Sequence, residues 1–363
     1  MNDVSELKQF AVLHARTQKI PRYRELLDRI DNDEDGAPGS WAVEWNRAAA
    51  EHLAAGRPLV ACRHYVMARY PYPDGPARQH AASECVSVFD QWRRQETPGV
   101  ERLDVDTPAG RVRCWAIGLS RTEPLPLLVV MGGIVSVKEQ WAPILPAVRR
   151  AGMAGIVVEM PGVGENELGY GPESWRMLPA LLDAVGDRAD VTRTYTSTLS
   201  FSGHLALRAA AQDPRIKGIV TAGAPVGVFF TDPSWLPGVP RITADTLAHL
   251  MGTKPADLAD RLRPLALTAE QLAEVRIPVG YLLSRRDEII PGADAELLRA
   301  HLRDLRLVQN DDVHGSPHHV AESRLWTVLS VLQMREVRNP QRVVLSALWH
   351  ALRARRRLSG ASR

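Results

Sequence analysis

The chain has 363 residues, which is enough for one large α/β domain with insertions or for two domains. Hydrophobic residues make up 45% and charged residues 24% of it, as in a soluble globular protein. A formal net charge of +3 is too small to indicate a nucleic-acid partner, and no apolar run reaches the roughly 18 residues of a membrane span. Because the amino terminus is also charged rather than apolar, we expect a cytoplasmic protein with no membrane contact.

The cysteines give no sign of a disulfide framework or a metal site. Cys62, Cys85 and Cys114 are odd in number, and their spacing matches no Cys-x-x-Cys pair. We therefore expect reduced and buried thiols.

Residues 1–97 have a helical pattern. Apolar residues recur three and four positions apart in 43–53 and 82–92, and a rigid turn rich in proline interrupts them at 71–76. The pattern predicts an amino-terminal helical domain in front of the main fold.

Residues 98–336 have the pattern of a sheet covered on both faces. A hairpin pattern at 100–118 is followed by continuous apolar runs at 126–131, 154–159, 216–222, 279–283 and 305–308. Helical stretches separate most of these runs, which predicts an α/β fold with a mostly parallel central sheet, helices on both faces and sites at the carboxyl ends of strands. The proline-punctuated helical stretch at 229–275 is long for a plain connection and indicates an inserted cap.

The last segment, 337–363, has apolar residues at helical spacing and a cationic end that contains Arg353, Arg355, Arg356 and Arg357. A docked helix with a solvated end and a frayed tail is the favoured interpretation. Contact of this basic helix with an anionic surface is the alternative.

One serine stands at a corner between a strand-like segment, 191–199, and a helical one, 205–211. At such a turn the hydroxyl of Ser200 projects from the sheet, and N–H groups at the start of the helix can receive a developing negative charge. This is the geometry that an acyl-transfer nucleophile needs. An ordinary turn serine that bonds its own backbone is the plainer interpretation.

The spacing around this serine is similar to the G-x-S-x-G-G pattern of α/β-hydrolases. Gly203 fills the third position after Ser200, but Thr198 and Ser202 stand where the pattern has glycines. Ser202 is the alternative nucleophile, although it would put the bulky His204 where the helix must pack. We therefore predict Ser200.

In that pattern the acid and then the histidine follow the serine along the chain. Asp287 is the first carboxylate after a late strand and is the predicted acid, with Glu288 as the alternative. His314 follows the last strand and is the predicted base, whereas His318 and His319 fall where a helix should begin. The histidine trio also suggests metal ligation, but no Cys or Glu stands at a matching spacing, so we expect no metal.

A second oxyanion donor should come from an early loop. Gly132 and Gly133 follow a buried run, so their backbone can face a cavity, with Ile134 as the predicted donor beside Phe201. Ordinary turn glycines are the alternative. The segment 161–166 lacks the third glycine and the lysine of a phosphate loop, and we expect no cofactor.

Taken together, these segments resemble the FrsA-like esterases, the 2,6-dihydroxypseudooxynicotine hydrolase group and the fungal hydrolases that shorten polyketide chains. The resemblance is carried by 62–71, 131–139, 159–165, the Ser200 corner, 223–226 and 286–291. It implies an α/β-hydrolase core, a helical amino-terminal domain over the active site, and frequent homodimers. It also implies that Ser200, Asp287 and His314 form a triad.

The resemblance further implies cleavage of an ester, or of a C–C bond beside a carbonyl, in a small-molecule secondary metabolite such as a polyketide. Candidate lining residues are Tyr65, Trp141, Phe230 and Trp235, although core packing explains any one of them as well. The leading hypothesis is a serine hydrolase. The alternatives are intramolecular acyl transfer or cyclisation by the same triad, and a catalytically silent binding protein.

Overall fold

The computed structural model describes residues 2–360, with side chains described as far as Arg356. The frayed tail that we predicted lies mainly outside this range. The amino-terminal part consists of helices α1 (Val4–Gln18), α2 (Tyr23–Arg29), α3 (Trp41–Ala54), α4 (Pro58–Ala68) and α5 (Pro76–Glu96). The carboxylate of Asp3 caps the amino-terminal end of α1, and α4 and α5 each begin with a proline, a residue favoured in the first turn of a helix.

The central sheet contains eight strands within the described residues, in the order β1-β2-β4-β3-β5-β6-β7-β8. They are β1 (Val100–Thr107), β2 (Gly110–Ile117), β3 (Pro126–Met131), β4 (Ala154–Val158), β5 (Asp190–Leu199), β6 (Ile216–Ala222), β7 (Val279–Ser284) and β8 (Leu305–Asn310). Strand β2 runs antiparallel to β1 and β4, and the pairs from β4 to β8 are parallel. The predicted mostly parallel sheet is confirmed.

Helices flank the sheet and fill its connections. They are α6 (Lys138–Trp141), α7 (Leu145–Arg150), α8 (Met177–Val185), α9 (Phe201–Ala210), α10 (Val228–Thr231), α11 (Arg241–Leu250), α12 (Leu258–Leu262), α13 (Ala269–Ala273), α14 (Gly292–His301), α15 (Val320–Met334) and α16 (Pro340–Gly360). The short helices α10 to α13 lie between β6 and β7, in the segment predicted to be a cap. None of the helices in residues 2–360 is long and apolar enough to cross a membrane.

The amino-terminal helices contact both the cap segment and the sheet's loops. Glu6 of α1 accepts a hydrogen bond of 3.0 Å from the N–H of Ile242, at the start of α11. The rings of Tyr72 and His249 stack with centroids 4.2 Å apart, which joins the proline-rich turn to the end of α11. The amino-terminal region and the cap segment therefore pack against each other at both ends of α11.

The carboxyl-terminal helix α16 docks on the core. Arg356 donates hydrogen bonds of 2.6 Å both to Glu322 of α15 and to the carbonyl of His318. Arg353 reaches Asn310 at the end of β8. The described part of α16 therefore contacts α15, the histidine loop and the end of β8. The three cysteines are unpaired and buried, as expected.

Candidate active site

Ser200 forms the corner between β5 and α9. Its backbone has φ 57° and ψ −130°, a strained conformation for a residue other than glycine. The turn is fixed because the Ser200 N–H donates to the Ala222 carbonyl at 2.8 Å and the Gly203 N–H donates to the Ser200 carbonyl at 2.8 Å. Strain of this kind at a half-buried serine hydroxyl is typical of functional sites.

The residues around Ser200 explain how the corner forms with fewer glycines than the α/β-hydrolase pattern. A Cβ on Gly203 would lie 2.1 Å from Oγ1 of Thr221, so this one glycine is needed for α9 to pack against β6. Thr198 is fully buried in β5. The hydroxyl of Ser202 accepts a hydrogen bond of 2.8 Å from the Leu199 N–H and lies 3.0 Å from the Met131 carbonyl. Ser202 is therefore engaged with the main chain of two strands.

The structure brings the predicted serine, histidine and aspartate together. Nε2 of His314 lies 3.1 Å from Oγ of Ser200, and its Nδ1 lies 2.9 Å from each carboxylate oxygen of Asp287. The carboxylate is held in turn by the N–H groups of Ile289 and Ile290, at 3.0 and 2.8 Å. One imidazole thus bridges a hydroxyl and a fixed acid, which is the arrangement that activates a serine.

The electrostatics of this trio favour a basic imidazole. Burial lowers the pKa of His314, but the charge and hydrogen bond of Asp287, together with the charge of Glu288, outweigh burial and raise the pKa above its ordinary 6.5. A carboxylate at Nδ1 favours the tautomer whose Nε2 can accept a proton. His314 is therefore suited to take the proton of Ser200.

The alternative acid and histidines have other partners. Glu288 accepts a hydrogen bond of 2.9 Å from the backbone N–H of His314, so it holds the loop rather than the imidazole nitrogens. His318 and His319 place Nδ1 at 2.9 and 2.7 Å from the buried carboxylate of Asp312. Burial by itself raises the pKa of Asp312. The hydrogen bonds that its carboxylate accepts, first among them those of His318 and His319, outweigh burial, so the pKa lies below its usual range. Asp312, which the sequence did not single out, thus anchors the histidine loop.

The loop after β3 lies directly against Ser200. A Cβ on Gly133 would be 3.3 Å from Cβ of Ser200, and one on Gly132 would be 2.3 Å from Cβ of Ser136. Ile134 follows these glycines, and Phe201 is the first residue of α9, where N–H groups have no partner within the helix. Both predicted oxyanion donors therefore belong to backbone next to the serine.

A cluster of buried charged side chains lies next to the loop after β3. Nζ of Lys138, at the start of α6, lies 3.0 Å from Glu139, 3.4 Å from Glu159 and 2.8 Å from Glu165. Burial raises the pKa of Glu159 to about 7, against the opposing charge of Lys138. Gly164 has φ +57°, which favours glycine, and a Cβ there would lie 2.0 Å from Oε1 of Glu159. The sequence interpretation gave these charged residues no role.

Two of the candidate lining residues touch the loops of the site. Nε1 of Trp141 would lie 2.6 Å from a Cβ on Gly132, so the indole packs on the glycine loop. Trp235 donates a hydrogen bond of 2.8 Å from Nε1 to the carbonyl of Ile289, in the loop that holds Asp287.

The other two lie further into packed regions. The ring of Phe230 packs 6.4 Å from that of Phe201 and 4.9 Å from that of His204, in an aromatic cluster between α10 and α9. Tyr65 is 4% exposed and its ring edge meets His80 of α5 at 6.3 Å. Neither has a ring contact or hydrogen bond with the triad residues in the described part of the chain.

Two residues of the amino-terminal helices near the site were not identified from the sequence. Arg69, at the end of α4, donates a hydrogen bond of 2.8 Å to the carbonyl of Val135 in the glycine loop. Burial lowers the pKa of His14 to about 4, helped by the charges of Arg69 and His314. Lone polar residues in helical sequence carry no signal of such a location. In residues 2–360 no group of three or more His, Cys, Asp or Glu side chains is arranged to hold a metal ion.

Comparison with known proteins agrees with this architecture. The sequence profile of the family described as "Esterase FrsA-like" matches residues 38–308. "Esterase FrsA" of Photobacterium profundum is 25% identical over 325 residues, which are 81% of this chain and 76% of that protein.

Solved structures show the same fold. The chain is similar to the structure titled "AbyA5 Wildtype", with 53% identity, a TM-score of 0.93, and coverage of 97% of this chain and 100% of that one. The structure of the 2,6-dihydroxy-pseudo-oxynicotine hydrolase has a TM-score of 0.68 at 18% identity, over 88% of this chain and 96% of that chain. Since the family profile covers most of the sequence, the chain belongs to the FrsA-like esterase family and is an enzyme of the α/β-hydrolase superfamily.

Proposed function

We propose that this hydrolase works through covalent catalysis by Ser200, with His314 as general base and Asp287 as the group that orients it. The observation that carries the proposal is the single imidazole of His314, which lies 3.1 Å from Oγ of Ser200 and 2.9 Å from the Asp287 carboxylate. In the first step Oγ attacks a carbonyl carbon while Nε2 takes its proton.

The attack converts the carbonyl oxygen into an oxyanion. The N–H groups of Ile134 and Phe201 are the proposed donors, because the first follows the glycine loop and the second opens α9. His314 then returns its proton to the leaving group, and an acyl group stays on Ser200. Water, deprotonated by the same imidazole, releases the acid and restores the serine.

The proposed substrate is a small-molecule ester, or an acylated 1,3-dicarbonyl in which a C–C bond breaks, as in secondary metabolites such as polyketides. In the C–C case the electron pair of the breaking bond leaves as an enolate, which the imidazolium of His314 protonates. The same groups therefore serve both cleavages. Trp141 and Trp235 are the proposed lining residues next to the site, since they pack on its loops.

Turnover of a panel of p-nitrophenyl esters and of acylated 1,3-diketones tests the proposal. We expect hydrolysis by the wild-type chain and a loss of about 10⁴-fold or more in Ser200→Ala. Running the reaction in H₂¹⁸O separates hydrolysis, which puts one labelled oxygen in the acid, from intramolecular acyl transfer, which puts none in the product. Equal turnover by wild type and Ser200→Ala would contradict the proposal.

Two further predictions come from the resemblance and the composition. We propose a homodimer, which size-exclusion chromatography with light scattering would test against a monomer mass of 40.1 kDa. We also propose a cytoplasmic location, which cell fractionation would test.

A further inference from the structure

Arg69 is a buried cation beside the glycine loop. Its side chain is 2% exposed, and its two terminal nitrogens donate to backbone carbonyls of Val135 and Pro71. Nε is buried and has no hydrogen-bond partner in residues 2–360. Val135 directly follows Ile134, so the guanidinium is bonded to the same loop that carries the proposed oxyanion donor.

The charge of Arg69 has no direct counter-ion. No carboxylate in the described chain lies within ion-pair distance of it, and its side-chain hydrogen bonds are to neutral carbonyls. Glu139 and Glu159 act on it through space, but both are bonded to Lys138 at 3.0 and 3.4 Å. A buried charge without a partner is unfavourable for folding, which makes a role in binding an opposite charge the better explanation.

The amino-terminal helices bring this charge close to the triad. A Cβ on Gly315, the residue after His314, would lie 2.8 Å from Cδ2 of Leu13, so α1 packs on the histidine loop. The next residue, His14, is within electrostatic reach of both Arg69 and His314. Its surface is partly exposed although burial lowers its pKa to about 4. His14 is thus neutral at ordinary pH, whereas the guanidinium of Arg69 keeps its charge.

We propose that Arg69 binds an anionic oxygen of the substrate, as a carboxylate or as the enolate of a 1,3-dicarbonyl group, and so orients the scissile carbonyl toward Ser200. The inference rests on the proposed function, which places that carbonyl at Ser200. Both anions offer two oxygens on one side. The N–H of Nε, unpartnered among the described residues, and the second N–H of a terminal nitrogen offer two donors on one edge of the guanidinium. Because the cation is screened from water, its attraction for an anion is stronger than it would be at the surface.

Ligand-observed NMR at pH 7.5 tests this with the full wild-type chain and paired probes. The anions are cyclohexanecarboxylate and 1,3-cyclohexanedione as its enolate, and their neutral analogues are cyclohexanecarboxamide and cyclohexanone. We expect each recognised anion to bind about 10-fold or more tightly than its neutral analogue, as a charged hydrogen bond allows. Whichever anion shows the preference identifies the group that the substrate carries.

The preference should disappear in Arg69→Gln and persist in the control Arg94→Gln, whose arginine lies on α5 with its side chain 69% exposed. If Arg69→Gln does not fold, the same measurement is made on Arg69→Lys. A smaller preference for the anion in Arg69→Lys than in the wild type supports the inference, and an unchanged preference overturns it. Equal binding of anions and neutral analogues by the wild type, or a preference that survives in Arg69→Gln, would also overturn it. Binding does not require a reactive serine, so the same measurement on Ser200→Ala separates failure of this inference from failure of the proposed function.

Discussion

Nε2 of His314 lies 3.1 Å from Oγ of Ser200, although the two residues are 114 positions apart in the chain. The sheet makes this possible, because Ser200 follows β5 and His314 follows β8, and both strands end at the same edge. Gly223, at the end of β6 with φ +57°, lies between them, and a Cβ there would be 2.8 Å from Cε1 of His314. The imidazole of His314 therefore fits at this strand end because Gly223 has no side chain.

His314 and His318, in the loop after β8, should respond differently to substitution. We expect His314→Gln to lower kcat by about 10⁴-fold with the fold intact, because the amide cannot act as a base. His318→Gln should change kcat little, since its side chain is 61% exposed and its Nδ1 is bonded to Asp312. Steady-state kinetics with one ester, beside circular dichroism of each variant, makes the comparison. A larger loss in His318→Gln than in His314→Gln would reject the assignment.

The value of kcat/KM should fall at acidic pH, where His314 becomes protonated. The base must be neutral, so kcat/KM should rise with pH through a value above 6.5, because Asp287 raises the pKa of the imidazole despite burial. In Asp287→Asn this limb should move to lower pH, and kcat should drop by about 10⁴-fold. Glu288→Gln, which removes a more distant charge but keeps an acceptor for the His314 N–H, should shift the limb less. A limb that stays in place in Asp287→Asn would refute this electrostatic account.

Gly203 should tolerate no side chain. The substitution Gly203→Ala puts a Cβ 2.1 Å from Thr221 Oγ1 and 2.7 Å from Ala224 Cβ, so we expect a loss of about 1–3 kcal/mol in the free energy of unfolding. Gly238→Ala is the matched control, because a Cβ there meets nothing within 4 Å. Urea unfolding followed by fluorescence measures both. If the two variants unfold at the same urea concentration, the packing argument for the corner is wrong.

Ser202 should matter for stability more than for chemistry. Ser202→Ala removes a hydroxyl that is bonded to the Leu199 N–H and lies 3.0 Å from the Met131 carbonyl, so we expect about 1–3 kcal/mol of destabilisation. The variant should keep most of its kcat at a temperature where it is folded. Thermal unfolding and ester turnover test the two halves of this prediction, and a loss of activity as large as that of Ser200→Ala would contradict it.

Much of the fold was predictable because buried strands leave continuous apolar runs. The run at 126–131 matches β3 (Pro126–Met131), whereas the run at 305–308 stops short of β8 (Leu305–Asn310), whose last residues are polar. The helix predicted at 205–211 begins earlier, at Phe201, since its start is set by the backbone of Ser200 rather than by periodicity.

The triad could be predicted because its residues follow strand ends in a fixed order along the chain. Residues of the site that belong to no such ordered motif could not. The triad candidates follow strand ends in a set order, so Ser200, Asp287 and His314 could be named. Asp312 and Arg69 could not, because a buried carboxylate or guanidinium has the same local sequence as a solvated one. The surroundings of Arg69 come from a contact between distant segments, α4 and the loop after β3. Asp312 bonds His318 and His319, six and seven residues away, through a loop conformation that the residue types do not specify.

Labelling with a fluorophosphonate tests the central claim most directly, because the reagent modifies only an activated serine. Intact-mass measurement and peptide mapping of the wild-type chain should show one adduct, on Ser200. We expect the adduct to be absent in Ser200→Ala, to form at least about 10³-fold more slowly in His314→Gln, and to persist in Ser202→Ala. A wild-type chain that stays unlabelled, or that carries the adduct on Ser202, would contradict the account.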